Sequence, residues 1–408
     1  MKAGKIMAIV LSCVLAASAF AGCAAKKSDG GVPKTKWVAT WGSGMRKDFT
    51  DQLPKQNSFA GSTVRQQIRT TVSGDVMRLT FSNQYGESDL VIESVHIAKL
   101  KDPASSEIKT KTDTVVTFGG SESIIIPAGE TAVSDDIAFS FEALEDIAVT
   151  TYFSDVPSTI TGHTASRCYI WTKSGNHVDE KELTDAEITS AWYFLARIDT
   201  LATEDTKIIV TFGDSLTDGA SVTDNIFSRW PDELARQLKA NEQLCNYGVI
   251  NMGNGGTLLR WDMARFERDV LNTPGVDTLV VLYGINDLSG KTEDISQNII
   301  GYYEEIIEKC HENGIKVYFG TLTPTKGNTG SHYSKLINEM RHTINDWIMT
   351  NDQADGYIDF ASAVASVADK DMMDEAYVSK WKDWLHFNDD GYTKLGQTAY
   401  DVLKDELK

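Results

Sequence analysis

The chain reads as an α/β protein: a parallel sheet covered by helices on both faces, preceded by an all-β sandwich domain. Three observations predict this. From Trp37 to about Asp199, short alternating runs are separated by Gly, Asp, Asn and Pro clusters, and strongly periodic helices are scarce. After "DTLATEDTK" the pattern changes to continuous apolar runs alternating with helical stripes, as expected of strands buried on both faces. The length of 408 residues exceeds one ordinary core, which favours two domains.

The N-terminus is expected to lie outside the fold. "MKAGKIMAIVLSCVLAASAFAGC" places Lys2 and Lys5 before an apolar run, and small residues before Cys23. The run is too short for a comfortable transmembrane helix and reads as an export signal over residues 1–23. "FAGC" resembles a bacterial lipoprotein cleavage box with Phe20 where an aliphatic residue is usual. That likeness implies lipidation at Cys23 and a cell-surface lipoprotein anchored to the membrane without spanning it. A plain secretory signal is the alternative. Residues 24–36, "AAKKSDGGVPKTK", are small and polar, as a flexible tether should be.

The β-sandwich domain is expected over residues 37–200. "VMRLTFSN" alternates Met77, Leu79 and Phe81 against Arg78, Thr80 and Ser82, and "DIAVTTYF" repeats the idea with Ile147, Val149 and Phe153. "VSGD", "SNQYGES", "KDPASS" and "PAGE" supply the turns between such runs.

The second domain is expected over residues 201–408. Its strands are "KIIVTF", "CNYGVINMG", "TLVVLYG", "KVYFGTLTP" and "GYIDF". Helices follow in turn: one with Trp230, Leu234 and Leu238 on its face, and another through "LLRWDMARFERDVL". Then come one marked by Ile295, Ile299, Tyr303, Ile306 and Cys310, one by Leu336, Met340, Ile344 and Trp347, and a last one near Gly391 to Leu403.

Composition narrows the partners. Hydrophobic residues at 41% and charged ones at 24% are ordinary for a globular protein and argue against disorder. The formal net charge of −19 repels phosphates and anionic lipid, so no nucleic acid is expected as a partner, and no membrane except through Cys23. Cys168, Cys245 and Cys310 are too few and too irregular for a disulfide framework or a zinc site, and Cys310 reads as a buried thiol. No dinucleotide or phosphate-binding glycine loop appears, so neither a cofactor nor a metal is expected.

Ligands of open parallel sheets bind beyond the carboxyl ends of the strands, and the chemically suggestive residues fall there. Ser215 follows the first strand in "VTFGDSLTDGAS", Gly255 and Gly256 the second in "NMGNGG", and Asn286 and Asp287 the third in "YGIND". Asp383 and His386 sit in "DWLHFNDDGY", before the final helix. A serine hydroxyl needs a base to become nucleophilic. Of seven histidines, only His386 combines a carboxylate three residues earlier with a loop at the right edge. Asp383 would hold the imidazole tautomer while Nε2 faces Ser215. The backbone N–H groups of Ser215 and Gly256 and the Asn286 side-chain amide would stabilise the oxyanion, beside a helix N-terminus that favours negative charge. Asp214 reads as a structural hydrogen-bonder of the turn.

"GDSLTDG", "NMGNGG", "GIND" and "DWLH" together resemble the four blocks of the SGNH (GDSL-type) serine esterases. The resemblance implies a flavodoxin-like three-layer α/β/α SGNH hydrolase domain. It also implies the triad Ser215, His386 and Asp383, and an oxyanion hole of Ser215, Gly256 and Asn286. Gly256 is chosen over Gly253 and Gly255 because it lies five residues after Asn251. "TVRQQIR", "RLTFSNQYGES", "SRWPDELA", "RFERDVLNTPGVDTLVVLYGIND" and "TLTPTKG" are similar to a subgroup of secreted bacterial enzymes with an N-terminal β-domain. In "LHFNDDGY", Phe387 replaces the subgroup's usual proline, which is expected to loosen the histidine loop.

The expected function is extracytoplasmic serine esterase chemistry through an acyl-enzyme, on short-chain esters such as acetyl carried by a polysaccharide. Arg260 and Trp261 would line the acyl or sugar site or else pack a helix face, while His163 and Tyr169 approach the cleft or pack in the β-domain. A lipase, thioesterase or lysophospholipase of the same fold is the alternative within enzymes. A carbohydrate-binding lipoprotein with a vestigial site is the alternative outside them.

Overall fold

A computed structural model describes residues 34–47, 53 and 59–408. The export signal, Cys23 and residues 24–33 of the expected tether lie outside the described residues. The tether reading ends early: Thr35 and Lys36 already pair with Thr203 and Ala202 in the first strand, because the alternating pattern of Trp37 and Ala39 extends backwards along the same edge.

The N-terminal half is built from antiparallel sheets. A five-stranded sheet contains Thr35–Gly42, Leu195–Thr203, Gly74–Ser82, Thr131–Val133 and Ile137–Phe141. A seven-stranded sheet is centred on Ser62–Arg69, Asp146–Asp155 and Leu90–Lys99. Met77, Leu79 and Phe81 from the first sheet and Val64, Ile68, Val95 and Val149 from the second share one buried cluster, as the period-two pattern requires of two facing sheets. A small ribbon pairs Gly162–Thr164 with Ala191–Tyr193, and Trp192 meets Trp41 edge-on at 5.1 Å.

The strand ending at Thr203 leads through a short turn into the parallel sheet. Its strands are β1 (Lys207–Gly213), β2 (Tyr247–Gly253), β3 (Val276–Leu282), β4 (Lys316–Gly320) and β5 (Gly356–Ile358). Their order across the sheet is β2-β1-β3-β4-β5, and every neighbouring pair is parallel. This is the flavodoxin-like doubly wound order, whose switch point lies at the carboxyl end of β1. Helices cover both faces: α1 (Ser215–Asp218), α2 (Trp230–Ala240), α3 (Leu259–Phe266), α4 (Ile285–Leu288), α5 (Ser296–Glu312), α6 (Lys335–Thr350), α7 (Phe360–Val364) and α8 (Asp389–Glu406). The helical run expected through "LLRWDMARFERDVL" changes to a single π turn at Glu267–Leu271. Among the described residues no helix is long and apolar enough to cross a membrane.

The two halves share a core. Val38, Ala39, Val72 and Ala202 of the sandwich belong to the same buried cluster as Ile208, Val210 and Phe212 of β1. The Ala39 N–H donates to the Pro274 carbonyl at 2.9 Å, which continues the backbone bonding across the seam. Burying that apolar surface jointly, at about 25 cal/mol per Å², is what fixes the sandwich against the α/β sheet. Cys168 and Cys310 are buried free thiols.

Candidate active site

The apolar run of β1 stops at Gly213, where an added Cβ would stand 2.3 Å from the Leu282 carbonyl oxygen, so only glycine lets the strand ends approach here. Asp214 caps the following turn, its Oδ1 accepting from the Leu216 N–H at 3.0 Å. Ser215 is thereby lifted to the end of the sheet with 8% exposure, enough to reach a reactant but little water. The expected helix behind it is a single turn, Ser215–Asp218. With so few aligned peptides the macrodipole adds little, and local N–H groups supply the positive potential instead. Burial pushes the Asp214 carboxyl up to about 7, and its Oδ2 has no hydrogen-bond partner among the described residues.

The last loop brings His386 to this serine. Ser215 Oγ lies 2.9 Å from His386 Nε2, although 171 residues separate them, and His386 Nδ1 lies 2.6 Å from Asp383 Oδ2. The other carboxylate oxygen accepts the backbone N–H groups of Leu385 and His386 at 3.1 and 3.0 Å and the Ser379 hydroxyl at 3.2 Å. Partial burial raises the Asp383 carboxyl, but the bonds from the His386 ring and backbone outweigh it and hold the group well below the usual carboxylate range. Lys382 (φ 51°) and Trp384 (φ 56°) flank Asp383 in the left-handed region, a strain of roughly 1 kcal/mol or more each that the packed loop sustains. Phe387 does not loosen this loop. Its ring is fully buried and packs edge-on against Tyr392 at 5.4 Å, so it anchors the segment through apolar contact where proline would restrict the backbone.

Gly256 and Asn286 meet at the same place. The Asn254 N–H donates to the Gly213 carbonyl at 2.9 Å, pinning the turn that carries Gly256 (φ 75°) beside the nucleophile strand. The Gly253 N–H is already given to Asn251 Oδ1 at 2.8 Å, whereas the Gly256 N–H has no acceptor among the described residues. Asn286 Nδ2 donates to the Thr257 carbonyl at 3.0 Å, which leaves its second hydrogen for another acceptor. Asp287 accepts the Leu259 N–H at 2.8 Å and so holds the start of α3, while burial raises its carboxyl.

The arrangement can take a proton from Ser215, store it on a braced imidazole, and offer amide hydrogens to a developing oxyanion. Residues 211–394 match the family model of the GDSL-like lipase/acylhydrolase family. This domain belongs to the GDSL-like lipase/acylhydrolase family. Its chemistry is carboxylic ester hydrolysis. Solved structures to which the chain is similar include a lipase/acylhydrolase from Enterococcus faecalis, 22% identical, covering 49% of this chain and 96% of that one, TM-score 0.41. A GDSL-like lipase from Bacteroides thetaiotaomicron is 16% identical over 50% of this chain and 91% of that one, TM-score 0.40. An acetyl xylan esterase is 23% identical over 48% and 99%, TM-score 0.39. No curated protein matches the chain.

Several residues around the GDSL-like site were not singled out for it from the sequence. His332 Nε2 stands 3.0 Å from Asn286 Oδ1. Since Thr257 offers only a carbonyl to Asn286 Nδ2, the amide orientation is determined, and His332 must be the donor. Burial lowers the His332 pKa, helped by the nearby His386. Asn328 joins this loop to the triad, donating from Nδ2 to the Asp383 carbonyl at 2.6 Å while its Oδ1 accepts the His332 N–H at 3.3 Å. A lone histidine in "NTGSHYS" carries no periodic signal that could have revealed it.

His163 is buried, as its packing reading had it, but it packs at the seam, where it reaches Asp218 of the GDSL-like domain. Its Nδ1 faces the Gly44 carbonyl and its Nε2 faces Asp218 Oδ1, each at 2.9 Å, so the ring bridges the two domains. Burial raises the Asp218 carboxyl, but His163 and Arg167 outweigh that and hold it below its ordinary range. Tyr169 instead packs against Trp171 and fixes the seam through its N–H to Asn225. Trp261 is 62% exposed with Arg260 over its ring, so helix-face packing does not account for it. Trp381, 53% exposed, stands edge-on to His386 at 5.4 Å.

Proposed function

We propose that the protein is an extracytoplasmic serine esterase that removes short acyl groups, chiefly acetyl, from a polysaccharide. Ser215 attacks the ester carbonyl as His386 Nε2 takes its proton, and Asp383 stabilises the imidazolium. The Ser215 and Gly256 N–H groups and Asn286 Nδ2 bind the oxyanion. Collapse releases the alcohol with the proton returned from His386. A water activated by the same ring then cleaves the acyl-serine to the acid.

The observation that carries this reading is the unbroken chain from Ser215 Oγ through His386 to Asp383, at 2.9 and 2.6 Å. The polymer substrate is supported by the exposed faces of Trp261 and Trp381, broad surfaces suited to sugar rings. The extracytoplasmic location is supported by the N-terminal sequence, with Cys23 as the anchoring residue. Wild type should cleave p-nitrophenyl acetate and Ser215→Ala should not. Acetate release from a panel of acetylated glycans, set against longer acyl esters, tests the substrate class. Glycan binding with equal, negligible turnover in both proteins would instead support a binding module.

A further inference from the structure

One segment of the sandwich, residues 44–46, faces the turn that carries Gly256. Arg46 is bridged to the Gly162–Thr164 strand, its N–H donating to the Gly162 carbonyl at 2.7 Å and its carbonyl accepting the Gly162 N–H at 3.0 Å. From this platform Arg46 Nη1 donates to the Gly255 carbonyl at 2.8 Å, across 209 residues of sequence. The Gly44 carbonyl accepts from Asn254 Nδ2 at 3.2 Å, so the turn is held at two points from the other domain.

Which carbonyl Arg46 meets is what matters. The Gly255 C=O and the Gly256 N–H are the two ends of one planar unit, and in a trans peptide they point in opposite directions. A guanidinium holding the oxygen on one side therefore aims the hydrogen to the other. The turn is closed by the Thr257 N–H and hydroxyl to the Asn254 carbonyl at 3.4 and 2.7 Å, but the peptide at its centre joins two glycines, and among the described residues no heavy atom beyond its chain neighbours stands within 4 Å of where a Gly256 Cβ would be, so the guanidinium adds the restraint on its tilt. The bond is also charge-assisted, and it polarises the amide so that its hydrogen becomes a better donor.

We infer that Arg46 is a positioning residue for ester hydrolysis: it orients and polarises the Gly255–Gly256 peptide so that the Gly256 N–H meets the developing oxyanion. The inference rests on the serine-esterase reading above and gives the sandwich domain a part in the chemistry. Because the charge it serves exists only in the transition state, its loss falls on kcat rather than KM.

The full chain is assayed with p-nitrophenyl acetate as wild type, Arg46→Met, Arg46→Lys, Arg46→Gln and Ser215→Ala. Arg46→Met should lower kcat by roughly tenfold to a hundredfold with KM within about twofold. Arg46→Lys should recover part of the loss, since an ammonium can still donate to the carbonyl. Affinity for phenylboronic acid, whose tetrahedral serine adduct places an oxygen in the same hole, should fall in step with kcat. Wild-type kcat in Arg46→Met, or a change confined to KM, would overturn the inference. If Arg46→Met does not fold, the order Arg, Lys, Gln in kcat at constant KM is expected instead, and equal kcat across the three overturns it. Those failures leave wild type active and Ser215→Ala inactive. Absence of Ser215-dependent hydrolysis in the wild type would overturn the esterase reading itself, and the inference with it.

Discussion

Replacing Asp383 with asparagine separates the orienting role of this residue from its structural one. Oδ1 accepts two backbone N–H groups, from Leu385 and His386, while Oδ2 faces the His386 ring. An asparagine must keep its oxygen toward those two donors, because its NH2 cannot accept from either. The NH2 is therefore turned toward Nδ1, which must give up its hydrogen and accept. The proton moves to Nε2, the atom 2.9 Å from Ser215 Oγ, which then has no lone pair for the serine proton. Turnover should fall by roughly 10³ to 10⁴ at neutral pH, or about 4 to 5.5 kcal/mol in the barrier. Stability should change far less, because the backbone bonds survive and only the ring bond is altered, worth about 1.5 to 3 kcal/mol. The remaining change has a defined pH sign. Asp383 is held below its unfolded-chain range, so its ionised form favours folding above about pH 4, and that gain is lost as the pH falls further. Burst and steady-state kinetics with p-nitrophenyl acetate, beside thermal unfolding from acid to neutral pH, check both halves. An Asp383→Asn enzyme retaining a tenth or more of wild-type kcat would refute the tautomer argument.

Other predictions follow from single contacts. His332→Leu should lower kcat about tenfold or more by freeing the Asn286 amide, and His332→Gln, which can still donate, should recover most of it. Kinetics of the pair decide between orientation and mere packing, since packing alone would treat them alike. Because burial lifts Asp214 to about 7, the native state binds one proton more than the unfolded chain between about pH 4 and 7. Its contribution to stability is full below about pH 4 and is lost as the pH rises through about 7. Asp214→Asn should lack that slope, and parallel unfolding curves for the two proteins from pH 4.5 to 8.5 would contradict it. Phe387→Ala should cost about 3 to 5 kcal/mol in denaturant unfolding, a loss well under 1 kcal/mol being incompatible with its buried ring.

Local pattern alone determined much of this protein. Each parallel strand is a short apolar run and each long helix a repeat of three or four residues, signals that survive without tertiary context. The catalytic-type residues are legible for a related reason: a sheet of this kind exposes its strand ends, and Ser215, Gly256 and Asn286 fall one at each. Asp383 and His386 sit close enough in sequence for one turn to join them. Tertiary structure decided the supports. Arg46 and His332 lie in irregular segments and His163 in a three-residue strand too short to show a period, and each acts on a partner at least 46 residues away. Single charged or polar side chains in loops resemble solvated surface until folding supplies the acceptor. The grip of the sandwich on the oxyanion turn is of this kind, because only the shared core at the seam brings the Gly255 carbonyl within reach of a guanidinium.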